Sequence, residues 1–148
     1  MSSARARSTL VDDFAAHARA NPSSPALHYV DGAESLVLTY AQLISEARAV
    51  ARGLILAGCV NGARVADFCD EGPAIVLALL GIALAGGVVV PLDPALPAAR
   101  LRSLLADADV SLLLCSAASS AALAAKLENS RTPLLALEAV GAAGDVLL

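Results

Sequence analysis

Two glycine pairs in this sequence are spaced to cradle a phosphate. Gly81, Ile82, Ala83, Leu84, Ala85 and Gly86 copy the glycine spacing of a phosphate loop, and Gly53 with Gly58 copies it again. Such a loop places a lysine straight after its second glycine to reach the β- and γ-phosphates, then a hydroxyl residue to hold Mg²⁺. Here Gly87 and Val88 follow one pair, and Cys59 and Val60 follow the other. A phosphate loop also opens a helix, whereas these glycines fall within or at the end of one, so close helix packing and a helix stop account for them.

The remaining reactive side chains lack partners at useful spacing. His17 follows Asp13 by four residues on the polar side of a helical segment, which predicts an exposed ion pair rather than a catalytic dyad. His28 stands in a strand with nothing near it in sequence to fix its tautomer. Ser116, Ser119 and Ser120 lack the G-x-S-x-G elbow of a nucleophile and read as a helix start. Asp67, Asp70 and Glu71 fall at the carboxyl end of a predicted parallel strand, where open α/β sheets collect ligands, although a solvated strand exit explains them equally well. The cysteines, Cys59, Cys69 and Cys115, form an odd set without C-x-x-C spacing, so they predict buried free thiols and neither a disulfide framework nor a zinc site. No catalytic, cofactor-binding or metal-ligating residue emerges.

Composition narrows the class. The chain has 148 residues, 57% of them hydrophobic and 16% charged, with a net charge of -4. Its mean hydropathy is +0.70. That length suits one domain or one lobe of a larger one, and the apolar content excludes general disorder. Nine arginines and the single lysine, Lys126, are scattered rather than striped, which argues against nucleic acid as a partner. The thiols fit a reducing, cytoplasmic location; Arg5, Arg7 and Arg19 leave organelle import open, although Asp12 and Asp13 interrupt any presequence. Residues 72–92 carry no charge, a run long enough to cross ~30 Å of hydrocarbon. Pro73 suits a first helical turn, however, and Gly86 and Gly87 make a stop before the β-branched Val88, Val89 and Val90. The run therefore divides into a helix and a short buried strand, and a membrane span is not expected.

These features sit on a regular alternation of elements. Residues 9–20 predict an amphipathic helix with Leu10, Phe14, Ala15 and Ala18 on its apolar face and Thr9 with Asp12 as an imperfect capping box. Residues 26–30 and 36–38 read as strands around the Asp31-Gly32 turn. Thr39 caps the next helix with Gln42 reaching back, and Tyr40, Leu43, Ala47, Val50, Ala51 and Leu54 form its stripe, ended by Gly58. Strands over 65–69, 88–90, 110–115 and 133–137 then alternate with helices over 73–85, 97–108 and 117–127. Alternation of this kind builds a parallel sheet through right-handed crossovers. No interior domain boundary is visible, and residues 141–148 read as a flexible tail.

Two stretches carry a specific resemblance. Leu38, Thr39, Tyr40, Ala41, Gln42 and Leu43 resemble the motif L-[TS]-Y-x-E-L. Residues 81–94, from Gly81 through Ala85, Gly86, Pro91, Leu92 and Asp93 to Pro94, resemble G-I-L-K-A-G-A-A-Y-V-P-L-D-P. Pro97, Arg100 and Leu101 match the P-x-x-R-L that follows, and Phe14, residues 21–26 and Gly58 also fall in place. Together they resemble the N-terminal part of the adenylate-forming superfamily of acyl-CoA synthetases, luciferases and the adenylation domains of nonribosomal peptide synthetases. Gln42, Leu84 and Val89 stand where the family usually has Glu, Lys and Tyr.

The resemblance implies an α/β fold: a parallel-sheet lobe with helices on both faces, preceded by an N-terminal helix and a β-hairpin, forming the first subdomain of an adenylate-forming enzyme over residues 1–148. The motif residues are regarded as structural in the family. Complete members use ATP and Mg²⁺ to convert a carboxylic acid to an acyl-adenylate. They do so with a Ser/Thr/Gly-rich loop ending in Pro-Lys-Gly, a ribose-binding Asp and a Lys in a C-terminal domain. None of these is present here, and the surroundings of Lys126 do not match that Lys. The expectation is a lobe that is not catalytic alone, with a slight lean to the amino-acid-activating branch. Its partner would be the remainder of an adenylating enzyme or a homologous chain, docked on an apolar patch. The other readings are a non-catalytic docking module and a small membrane-anchored protein.

Overall fold

A computed structural model of the chain describes residues 9–69 and 72–137. The expectations placed on Arg5, Arg7, Asp70, Glu71 and the 141–148 tail lie outside the described residues. The chain separates into two compact units, Met1–Ile44 and Ser45–Leu148.

The first unit opens with α1 (Leu10–Ala20). Its capping box is complete, with Thr9 N–H donating to the Asp12 carboxylate at 2.9 Å and Asp12 N–H donating to Thr9 Oγ1 at 3.2 Å. These bonds from Thr9 hold the Asp12 carboxyl below its ordinary value. The apolar face differs from the expected one. Leu10 is 81% exposed, and Val11 takes its place in the half-buried stripe with Phe14, Ala15 and buried Ala18. Leu10 is the first helical residue, and the i, i+3, i+4, i+7 series that ends on Ala18 starts at Val11.

Strands β1 (Pro25–Asp31) and β2 (Glu34–Thr39) pair antiparallel, with Asp31 opposite Glu34 across a two-residue loop. Gly32 supplies the loop's positive φ of 58° at its first position, as a type II′ hairpin turn requires. Helix α2 (Tyr40–Leu56) begins in this unit. Thr39 Oγ1 accepts from Gln42 N–H at 3.3 Å while Gln42 Oε1 accepts from Thr39 N–H at 2.9 Å, so glutamine completes the box as glutamate would. Two further N–H groups of the first turn, those of Tyr40 and Ala41, donate to the carbonyls of Ser24 and Pro22.

The second unit is a parallel sheet. After the rest of α2 come β3 (Arg64–Asp67), α3 (Gly72–Leu84), β4 (Val88–Pro91), α4 (Ala98–Asp107), β5 (Leu112–Ser116), α5 (Ala117–Lys126) and β6 (Leu134–Leu137). Strand order is β4-β3-β5-β6, all parallel. The chain steps one way from β3 to β4 and the other way from β4 through β5 to β6. Crossovers of one hand therefore put α3 on one face and α4 and α5 on the other. On the α4–α5 face, Ala66, Leu113 and Cys115 pack with Phe68, Leu101, Leu105, Leu123 and Leu127. Val65, Leu112 and Leu114 are buried on the α3 face. There α3 packs against α2 so closely that a Cβ on Gly81 would stand 2.4 Å from Val50 Cγ1. The helix-ending glycines act as expected, Gly58 at φ 99° and Gly86 at φ 78°.

Several boundaries and one burial differ from expectation. The first parallel strand stops at Asp67, the third starts at Leu112, and α3 ends at Leu84. Among the described residues the valine strand is a sheet edge rather than a buried interior strand, and Val88 is 49% exposed. Three β-branched residues specify a strand but not its place in the strand order. The uncharged run divides as expected into α3 and β4, and among the described residues no helix is long and apolar enough to cross a membrane.

Candidate functional site

Strand order marks one place on the sheet. The connections leaving β3 and β5 run in opposite directions, so the topological reversal falls between the carboxyl ends of these two strands, where doubly wound sheets bind ligands. Asp67 ends β3 there, and Ser116 ends β5.

Asp67 is not the solvated strand exit weighed from sequence. It is 4% exposed, and its Oδ1 accepts the Cys69 N–H at 2.9 Å. Burial pushes its carboxyl above the ordinary value, and the bonds from Cys69 pull the other way. Its backbone carbonyl accepts the Leu92 N–H at 2.9 Å, tying the ends of β3 and β4 together. Opposite, the Ser116 and Ser119 hydroxyls bond each other at 2.8 Å, and Ser119 and Ser120 also donate to the carbonyls of Ser116 and Ala117. These serines start α5, as expected. Cys59, Cys69 and Cys115 are all buried and in no disulfide, and burial raises the thiols of Cys59 and Cys115.

The two motif segments lie at element junctions and turns. Leu38, Thr39, Tyr40 and Leu43 form the strand-to-helix junction of β2 and α2, where Leu38 and Leu43 are buried. In the second segment Gly81 admits Val50, Ala85 and Gly86 close α3, and Pro91 ends β4. Leu92 packs against the α4–α5 cluster. Asp93 Oδ1 accepts the Ala95 N–H at 2.8 Å, and its carbonyl accepts the Leu96 N–H at 3.2 Å, which turns the chain into Pro97 at the α4 N-cap. Arg100 is exposed and Leu101 is fully buried.

Lys126 holds this turn, a role sequence reasoning missed. Its Nζ donates to the carbonyls of Pro94 and, at 3.1 Å, of Leu96, while Arg102 donates to the Lys126 carbonyl at 3.2 Å. The one available signal was a sole lysine beside the apolar Leu123 and Leu127 at a helix C-terminus.

The histidines are not brought together. His17 makes no ion pair with Asp13; its ring meets Tyr40 edge-on at 4.7 Å, and Tyr40 also lies 5.6 Å from Phe14. An exposed pair at this spacing contributes a few tenths of a kcal/mol, so an aromatic contact is enough to displace it. His28 is exposed on β1.

These groups do not fit a magnesium-bound triphosphate. The lysine amine is occupied by two carbonyls, the carboxylate at the reversal is buried against its own chain, and the serines bond one another. Among the described residues no group of three or more His, Cys, Asp or Glu is placed to hold a metal ion. A cleft of about 310 Å³ lies at the other end of the sheet, where Arg102, Asp109 and Val110 face Asn129, Ser130 and Thr132.

The architecture is thus that of a doubly wound α/β lobe with its motif segments at a strand-to-helix junction and at a helix stop and strand exit. The AMP-binding enzyme family model matches residues 14–144. The chain is 38% identical over 122 residues to the AMB antimetabolite synthetase AmbB of Pseudomonas aeruginosa, covering 82% of this chain and 9% of that protein. It is 34% identical over 116 residues to the nonribosomal peptide synthetase-like enzyme fsqF of Aspergillus fumigatus, covering 78% and 8%. The N-terminal domain of FACL13 from Mycobacterium tuberculosis superposes with a TM-score of 0.75 at 23% identity, over 88% of this chain and 34% of that one. The chain belongs to the AMP-binding enzyme family and has the fold of the N-terminal part of adenylate-forming enzymes. It spans less than a tenth of the length of these two curated relatives.

Proposed function

We propose that this chain is the N-terminal scaffold lobe of an AMP-forming, carboxylate-activating ligase and does not adenylate a substrate with its own residues. The observation that carries this reading is the turn from Asp93 to Leu96, whose carboxylate and carbonyls are bonded within the chain. The P-L-D-P turn is held by Asp93 from within and by Lys126 from outside, so the amine of the chain's sole lysine is already taken up by the Pro94 and Leu96 carbonyls. In the complete enzyme, ATP and Mg²⁺ would be held by polypeptide beyond these residues, and this lobe would supply the sheet on which that polypeptide is positioned. The nonribosomal peptide synthetase-like relative and the wording of the Pro91 to Arg100 stretch support an amino acid as the activated carboxylate.

ATP–pyrophosphate exchange tests the reading. The purified chain is expected to give no exchange above background with a panel of amino and carboxylic acids and Mg²⁺; substrate-dependent exchange by these 148 residues alone would overturn it.

A further inference from the structure

Three asparagines stand in the sequence, and the residue after each decides its chemistry. Asn21 precedes Pro22, which has no N–H, and Asn129 precedes Ser130, whose side chain hinders attack by its own nitrogen. Asn61 precedes Gly62, which has no side chain to shield its nitrogen. Asn61 is exposed, and its carboxamide makes no hydrogen bond among the described residues.

The segment is a tight turn. Ala63 N–H donates to Val60 O at 2.9 Å, Gly62 has φ 81°, and Asn61 before it has no positive φ, which defines a type II turn. Two bonds lace this turn to the end of α3 and the start of β4, from Gly62 N–H to Gly86 O and from Val88 N–H to Ala63 O, both at 2.8 Å. Asn61 Oδ1 lies against Gly86, 3.0 Å from where a Cβ on that residue would stand.

We propose that Asn61 is a latent modification site, converted without an enzyme to aspartate and isoaspartate, and that the bond from Gly62 N–H to Gly86 O is its gate. Conversion needs the Gly62 amide proton removed. Gly62 N then bonds to Asn61 Cγ, the Cγ–Nδ2 bond breaks, and Nδ2 leaves as ammonia, the proton from Gly62 balancing the exchange. Water opens the cyclic imide at either carbonyl, giving aspartate, or isoaspartate with the main chain running through the side-chain carbon. Amide hydrogen exchange at Gly62 removes the same proton from the same bond, so one local opening governs both.

The products loosen this corner. Aspartate sets a carboxylate beside Gly86 at the C-terminal end of α3, where the helix dipole disfavours negative charge. Isoaspartate adds a methylene to the main chain inside the turn that Val60 O and Ala63 N–H close, so the turn and its bonds to Gly86 and Val88 are not kept together. The inference is independent of the scaffold reading.

The test incubates the whole chain at mildly alkaline pH, folded and in urea, and digests it with trypsin. Cleavage after Arg52 and Arg64 isolates residues 53–64, in which the mass gain of amide-to-acid conversion is read and isoaspartate is resolved by elution. Conversion in the folded chain is expected to be about tenfold or more slower than in urea, a factor matching the amide protection of Gly62. Below the unfolding midpoint the folded-state rate should be nearly independent of urea, because a local opening exposes little surface. Equal rates in the folded and unfolded chain, or a rate that climbs with the slope of global unfolding, would overturn the gate. Absence of conversion in urea would overturn the site itself. The purified isoaspartyl form is expected to exchange faster at Gly62 and Val88 while Leu113 and Leu114 in β5 stay protected; unchanged exchange at both would overturn the loosening.

Discussion

The two faces of the parallel sheet bury apolar residues in different ways. On the α4–α5 face, Leu101, Leu105, Leu113, Leu123 and Leu127 interlock around Ala66, Phe68 and Cys115. On the other face, α3 meets α2 through Gly81, Ala47 and Val50, and a carboxylate, Asp67, is buried at the strand end. The first face depends on volume being filled and the second on volume being left out. They should fail under opposite substitutions.

Leu113→Ala tests the filled face and should have the largest effect. Leu113 is 2% exposed, so truncation leaves a cavity that the surrounding leucines close only partly. Its expected cost is about 2–5 kcal/mol, read as a lower urea midpoint at unchanged slope. A cost below about 1 kcal/mol would mean that the cluster collapses onto the gap, removing the contrast with the other face.

Gly81→Ala tests the close-packed face. The added Cβ would meet Val50 Cγ1 at 2.4 Å and Val50 Cβ at 2.7 Å, and a Cβ cannot swing away without moving α2. Alanine gains up to about 1 kcal/mol of helix propensity, but overpacking of this kind costs about 1–3 kcal/mol, so the net effect should be destabilising. Adding Val50→Ala removes the clashing atom and should recover part of the loss. If Gly81→Ala stabilises the protein by itself, the approach of α2 and α3 is looser than described.

Legibility followed the range of the interaction. The junction of Thr39 with Gln42 and the stop at Gly86 could be read because each depends on residues a turn apart. The alternation that makes the sheet was equally plain. Strand order was not, because Val88, Val89 and Val90 read the same in an edge strand as in an interior one. Lys126 escaped notice because its acceptors, Pro94 and Leu96, lie 32 and 30 residues away. Asp67 escaped because a carboxylate at a strand exit normally meets water, whereas here it is buried and accepts the Cys69 N–H.

Lys126→Met should have a smaller effect than either core change. Methionine keeps much of the aliphatic stem but removes the donor to the Pro94 and Leu96 carbonyls, which are only half-buried and can turn to water. The expected loss is about 1 kcal/mol, with faster amide exchange at Ala95 and Leu96 and no change in β6. Unchanged exchange at those two amides would show that Asp93 holds the turn unaided.

Asp67→Asn should change stability least, and it separates the faces by charge instead of volume. Burial raises the Asp67 carboxyl in the folded state from an ordinary value near 3.8, so the folded protein binds this proton more tightly than the unfolded chain does. The contribution is fully present below the unfolded value and is lost as pH rises through the folded one, which makes ionised Asp67 a liability at neutral pH. Asparagine keeps the oxygen that accepts the Cys69 N–H but never ionises. The variant should therefore be more stable than the parent at pH 7, with the advantage shrinking as pH falls toward 3.8. Asp12 has the opposite shift but is present in both proteins, so it cancels in the difference. Urea midpoints for the pair at pH 4, 5, 6 and 7 measure that difference. A gap that is flat across the series would mean that Asp67 reaches water in the folded protein, and the α3 face would then be as free of buried charge as the α4–α5 face.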